Sequence, residues 1–292
     1  MVAMHSTPSG EGMIAVPGGR VWYRIEGQGA RGVPLLVLHG GPGAPHDYLE
    51  NLVALADQRP VVFYDQLGCG RSERPDDPAL WQLERFVTEL AAVRQALGLQ
   101  RVHLLGQSWG SMLAVQSVLA GAIGIERLVL SGPCLSAPRW IADQRAWLAK
   151  MPLAVGNAVA IAEALGDYEA AAYQQAMQLY YQQHLCRLDP WPDCLQRSLA
   201  GLGMQVYLTL WGPSEFTCNG RLREVDLTPR LARIGLPTLL TCGRFDEATP
   251  ATVEDFRRLI PGARIKVFES ASHNHHLEQA QGYLAAVREF LL

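Results

Sequence analysis

Apolar and polar positions along this chain follow two rhythms. Short, nearly unbroken apolar runs fall at 34–38 (Pro34-Leu35-Leu36-Val37-Leu38), 61–64, 102–105 and 236–242. Runs of this kind suit strands buried on both faces. Between them apolar residues recur at helical spacing, as at Phe86, Leu90, Val93 and Leu97, a stretch closed by Gly98. Ala280, Tyr283, Leu284, Val287 and Leu291 line one face of a closing helix. Further strands are expected at 20–25, 125–130 and 264–268, and further helices near 48–56, from Ser108 to about 120, and near 252–259. Strands alternating with helices predict a mostly parallel sheet with helices on both faces, an α/β fold.

Between residues 134 and 222 the rhythm changes. No buried-strand run occurs there, and Ala, Gln, Tyr and Trp dominate, with a helix-like stretch at 168–185. This segment is expected to form a helical cap over the carboxyl edge of the sheet. It would divide the core into residues 1–133 and 223–292.

Composition narrows the function classes. The chain has 292 residues, 49% hydrophobic and 18% charged, which describes an ordinary globular protein. A net charge of −3, with arginines scattered rather than striped, favours neither nucleic acid nor an anionic membrane as partner. No apolar run approaches the ~20 residues of a spanning helix. Residues 1–12 lack the apolar stretch of a secretory signal, so a cytoplasmic location is expected. The six cysteines contain no C-x-x-C pair, so free thiols are expected and no zinc site; Cys186 and Cys194 stand close in sequence, without a disulfide being expected.

The chemistry lies in the loops that follow the strands. Gly106-Gln107-Ser108-Trp109-Gly110 follows one apolar run and opens a helix, as a nucleophile elbow requires. Asp246 follows the run ending at Cys242, and His273 follows the strand at 264–268. Serine, acid, histidine is the chain order of the α/β-hydrolase triad. Serine needs a base to take its proton, and a carboxylate fixes the base's tautomer. Each residue also has an ordinary role open to it: Asp246 could cap the helix near Pro250, and His273 could belong to a solvated cluster with His275 and His276. His39-Gly40-Gly41-Pro42-Gly43 follows the run at 34–38 and suits an oxyanion loop. Pro42 has no N–H, so the backbone donors are expected to be Gly41 and Trp109.

With these segments in view, the chain resembles the proline iminopeptidase (prolyl aminopeptidase) type of α/β hydrolase, a serine peptidase family. The matching segments are HGGPG at 39–43, DQLGCGRS at 65–72, GQSWG at 106–110, WGPSEF at 211–216 and GRFDEATP at 243–250. The last two are also similar to the tricorn-interacting aminopeptidase branch. Around His273 the chain departs from the pattern, reading Ser272-His273-Asn274-His275-His276.

The resemblance implies Ser108 as nucleophile, His273 as base, Asp246 as its orienter, and Gly41 and Trp109 as the oxyanion hole. It also implies that Glu215 and Glu247 bind a substrate's free α-amino group, which is mostly charged near neutral pH. Two such carboxylates repel in an empty site, so one should be protonated or held by an arginine.

The function expected is a serine aminopeptidase acting on short peptides or aminoacyl amides with a free N-terminus, without metal or organic cofactor. An amino-acid amidase or esterase could use the same triad. A noncatalytic ligand receptor on this fold would be expected to lack part of the triad, and all of it is present. The preferred first residue is open; Tyr207, Trp211, Phe216 and Phe245 are candidates for a proline slot, and each could equally be cap core.

Overall fold

A computed structural model describes residues 10–27 and 29–292, so the reading of residues 1–12 falls largely outside it. One sheet of eight strands organises the chain: β1 (Gly10–Val16), β2 (Gly19–Glu26), β3 (Leu35–Leu38), β4 (Val61–Tyr64), β5 (Val102–Gln107), β6 (Ile125–Ser131), β7 (Thr238–Gly243) and β8 (Arg264–Phe268). Their order is β1-β2-β4-β3-β5-β6-β7-β8; β1 and β2 are antiparallel and all pairings from β4 to β8 are parallel.

The unbroken apolar runs have a simple cause. Alternate residues of each central strand feed two different cores. Leu36, Leu38, Val62, Tyr64, Leu104, Leu128 and Leu240 pack on one face, with helices α1 (Leu83–Ala96) and α2 (Trp109–Leu119). Leu35, Val37, Val61, Phe63, Leu105, Val129 and Leu239 pack on the other, with Leu49, Leu52, Tyr283 and Val287. The stretch expected as a helix near 48–56 winds as a 3-10 helix, His46–Leu55.

β1 has no clear apolar run. Its two glycines weaken it as a strand by itself, and pairing with β2 across the two-residue turn Pro17-Gly18 defines it. The edge strand β8 alternates between exposed and half-buried residues, as one open flank dictates.

Five α-helices fall between β6 and β7: α3 (Ala137–Leu148), α4 (Leu153–Leu165), α5 (Ala171–His184), α6 (Asp193–Ala200) and α7 (Met204–Leu210). They have a small core of their own, built on Leu148, Val155, Val159, Tyr173, Tyr180 and Phe216. The chain then returns to the sheet through β7, α8 (Pro250–Leu259), β8, the single turn α9 (His275–Glu278) and α10 (Ala280–Leu291). All six cysteines are free and buried. Among the described residues no helix is long and apolar enough to cross a membrane.

Candidate active site

Ser108 stands between β5 and α2 with φ 54° and ψ −123°, and among the described residues no other non-glycine residue has a positive φ. Such a conformation costs on the order of 1–3 kcal/mol and persists only where its surroundings impose it. Here they do. A Cβ at position 106 would strike the carbonyl of Gly110, and one at 110 would strike the carbonyl of Leu38, so the strand-to-helix turn closes only with glycine at both places.

His273 and Asp246 converge on this turn from the ends of β8 and β7. His273 Nδ1 lies 2.7 Å from Asp246 Oδ1, which places the ring proton on Nδ1 and leaves Nε2 as an acceptor. The His273 backbone is tied to the end of α5 by its N–H on the His184 carbonyl, 2.9 Å. Gly132, in the break after β6, leaves room for the ring: a Cβ there would sit 2.7 Å from its Cε1 and Nδ1.

Asp246 does not cap α8; the Thr249 hydroxyl does so, accepting from the Thr252 N–H. Both Asp246 oxygens are engaged. Oδ1 also accepts from the Ala248 N–H at 2.8 Å, and Oδ2 from the Gly243 N–H at 3.0 Å. His275 Nδ1 lies 3.4 Å from Oδ2, while its Nε2 meets the hydroxyls of Ser131 and Thr241. Burial alone would push this carboxyl up, but the His273 and His275 imidazoles outweigh it and hold it below the ordinary range. His275 and His276 are fully buried, so the expected alternative of a solvated histidine cluster does not occur.

His273 Nε2 does not stand free. The Gln107 side-chain N–H donates to it at 2.9 Å. The Tyr48 hydroxyl donates to Gln107 Oε1 and accepts from the Gly40 N–H at 2.7 Å, linking the imidazole to the glycine loop. That loop is braced from the other side. Gln66 binds His39 through its backbone N–H (2.8 Å) and takes a hydrogen bond from Trp109 Nε1 (2.8 Å). Burial lowers the His39 pKa to about 4, so the ring is a neutral strut. Gly41, at φ +106°, borders both cavities described below.

Two further carboxylates face Ser108. Glu247 is buried, with Oε2 3.9 Å from His273 Nε2 and Oε1 without a hydrogen-bond partner. Glu215, between α7 and β7, accepts from the Tyr207 hydroxyl at 2.8 Å. Burial pushes both carboxyls up, and for Glu247 the charges of Glu215 and Asp246 push further, well above the ordinary value. Among the described residues no arginine holds either of them, and burial with mutual repulsion favours the neutral form.

Two cavities meet at Ser108. A narrow slot, about 230 Å³ including its open mouth, is walled by Trp109, Met112, Cys134, Trp140, Trp211 and Leu222 and reaches Gly41 and Glu215. A larger chamber, about 930 Å³ including its open mouth, runs beside α5, α6 and α7 and is lined by Gln107, His273, Glu215 and Glu247. Of the expected slot residues, Trp211 lines the slot and Tyr207 lines the chamber. Phe216 belongs to the cap core, and Phe245 lies under the Arg187 guanidinium, neither bordering a cavity at Ser108.

A family model for the alpha/beta hydrolase fold matches residues 33–280. The proline iminopeptidase of Heyndrickxia coagulans is 44% identical over 282 residues, covering 96% of this chain and 98% of that one. The chain belongs to the proline iminopeptidase family of α/β hydrolases. The crystal structure of Mycobacterium smegmatis proline iminopeptidase matches at a TM-score of 0.89 and 35% identity, covering 96% of this chain and 97% of that one. VinJ matches at 0.93 and 34%, covering 97% and 98%.

Sequence reasoning passed over Tyr48, Gln107 and Trp140, and it placed His275 only in an alternative solvated cluster. Gln107 stands inside the elbow pentapeptide, but at a position the pattern leaves free. Tyr48 and Trp140 carry no local signal, because their partners lie in distant segments.

Proposed function

We propose that this chain is a serine aminopeptidase that removes an N-terminal residue, proline above all, from peptides through an aminoacyl-enzyme. The observation that carries the reading is the partnerless, buried Oε1 of Glu247 beside Ser108. An unpaired buried carboxylate is costly, and a substrate ammonium held between Glu247 and Glu215 satisfies both. An acylated amine leaves them unpaired, so internal peptide bonds are rejected.

In this reading the substrate's first side chain enters the tryptophan slot, whose flat aromatic walls suit a pyrrolidine ring, and its amine meets Glu215 and Glu247. Ser108 Oγ attacks the carbonyl while His273 Nε2 takes its proton. Gln107 yields its hydrogen bond to the serine hydroxyl at that moment. The N–H groups of Gly41 and Trp109 receive the oxyanion, one such donor being worth about 2.7–4 kcal/mol. The imidazolium, steadied by Asp246, then protonates the departing amine, and water repeats the sequence on the ester. Residues 134–222 act as the cap that shapes both cavities.

The test compares aminoacyl anilides with their N-acetylated forms. Free prolyl anilide should be strongly preferred, and Ser108→Ala should lower kcat by about 10⁵-fold or more. Equal turnover of free and acetylated substrates would refute the aminopeptidase reading and leave an ordinary amidase or esterase.

A further inference from the structure

The chamber at Ser108 has a definite chemical character. His273 borders the chamber and not the tryptophan slot. The group that leaves must take its proton from His273, so, given the aminopeptidase reading, the leaving group occupies the chamber. Beyond the reacting residues its walls are mostly apolar, with Met177, Leu195, Leu199 and Met204 among them and Ser198 and Asn274 as polar exceptions. Among the described residues no arginine or lysine lines it, and its acidic side chains are Glu215 and Glu247.

We propose that the chamber selects the residue after the scissile bond. The enzyme prefers substrates whose second residue is large and apolar, and it discriminates against a free carboxylate on that residue. A carboxylate there would enter an apolar space with no cation to meet it, beside Glu215 and Glu247. A phenylalanine side chain in the same place would leave water for contacts with methionine and leucine. Burial on that scale corresponds to about 10- to 100-fold in affinity. The natural substrates are therefore longer peptides or amides with an apolar second position, rather than free dipeptides.

Pro-Phe-NH2, Pro-Gly-NH2, Pro-Phe-OH and N-acetyl-Pro-Phe-NH2 separate the possibilities. Binding to the Ser108→Ala protein is measured by calorimetry, and kcat/KM is measured on the wild type. Pro-Phe-NH2 should exceed both Pro-Gly-NH2 and Pro-Phe-OH by about tenfold or more in each assay. Met204 is 53% exposed, so an arginine is accommodated there, and Met204→Arg should narrow the gap between Pro-Phe-OH and Pro-Phe-NH2. No preference among the three free-amine compounds would overturn the proposal, as would an unchanged gap in Met204→Arg. If the acetylated compound bound as tightly as Pro-Phe-NH2 while the preference for phenylalanine persisted, the amine reading would fall and the apolar chamber would stand.

Discussion

Asp246 and Glu247 are neighbours in the chain and are equally buried, yet they face opposite sides of one imidazole. Behind His273, the Asp246 carboxylate meets two backbone N–H groups and two histidines, and it is held charged. In front, Glu247 meets a second glutamate across an apolar chamber with no donor for its Oε1, and it is driven toward the neutral form. The difference teaches where each charge is answered. On the triad side the protein supplies every partner itself, which suits a group that must hold still. On the chamber side it withholds one, which suits a group waiting for a ligand.

Substitutions should break this contrast in different kinetic constants. The largest effect is expected behind the ring. Asp246→Asn should lower kcat by about 10⁴-fold with little change in KM, because the imidazole loses its tautomer and the imidazolium its counter-charge. A comparable rise in KM instead would mean that Asp246 serves binding. In front, Glu247→Gln and Glu215→Gln should act mainly on KM for free-amine substrates, raising it on the order of 10²-fold. Unchanged steady-state kinetics in both would remove these residues from the amine site.

Stability against pH sharpens the contrast without any substrate. The folded-state pKa of Glu247 lies above its unfolded value, so its contribution is intact in acid and is lost as pH rises. Glu247→Gln should therefore gain stability relative to wild type between pH 4 and pH 8 (~4.3 being the unfolded carboxyl value). Asp246 is the opposite case: its lowered pKa gives stability present above the unfolded value and lost in acid, so the deficit of Asp246→Asn should close as pH falls. Urea midpoints from about pH 2 to about pH 8 would read both slopes, that of Asp246 below about pH 4 and that of Glu247 above it, and parallel slopes would contradict the assignment. The smallest effect is expected at the link between the two sides. Tyr48→Phe removes the hydroxyl that orients Gln107, and its kcat should fall by only about three- to tenfold, the worth of one hydrogen bond.

Much of the architecture was legible because one physical rule generates it. A strand buried on both faces must be apolar at successive positions, so β3, β4 and β7 announce themselves, while β1, with two glycines and an exposed flank, does not. The stretch 46–55 was legible as a turn of helix but not as a 3-10 helix. The difference lies in how it packs under α10 and against β4, not in its own spacing.

The sequence by itself determined which chemical groups leave the strand ends. It placed a serine between two obligatory glycines, an acid after β7, a histidine after β8 and a glycine loop after β3, because these depend on local turns with strict steric demands. Only the tertiary structure decided how those groups are answered. Whether Asp246 caps a helix or orients a base depends on what stands opposite it, and so does whether His275 is solvated or buried on that same carboxylate. The slot formed by Trp109, Trp140 and Trp211 draws on three separate helical segments, and Gln107 reaches His273 across 166 residues of sequence. Burial and charge are properties of neighbours in space. The same glutamate is an ordinary surface anion in one fold and, buried here beside Asp246 and Glu215, a carboxyl pushed toward its neutral form.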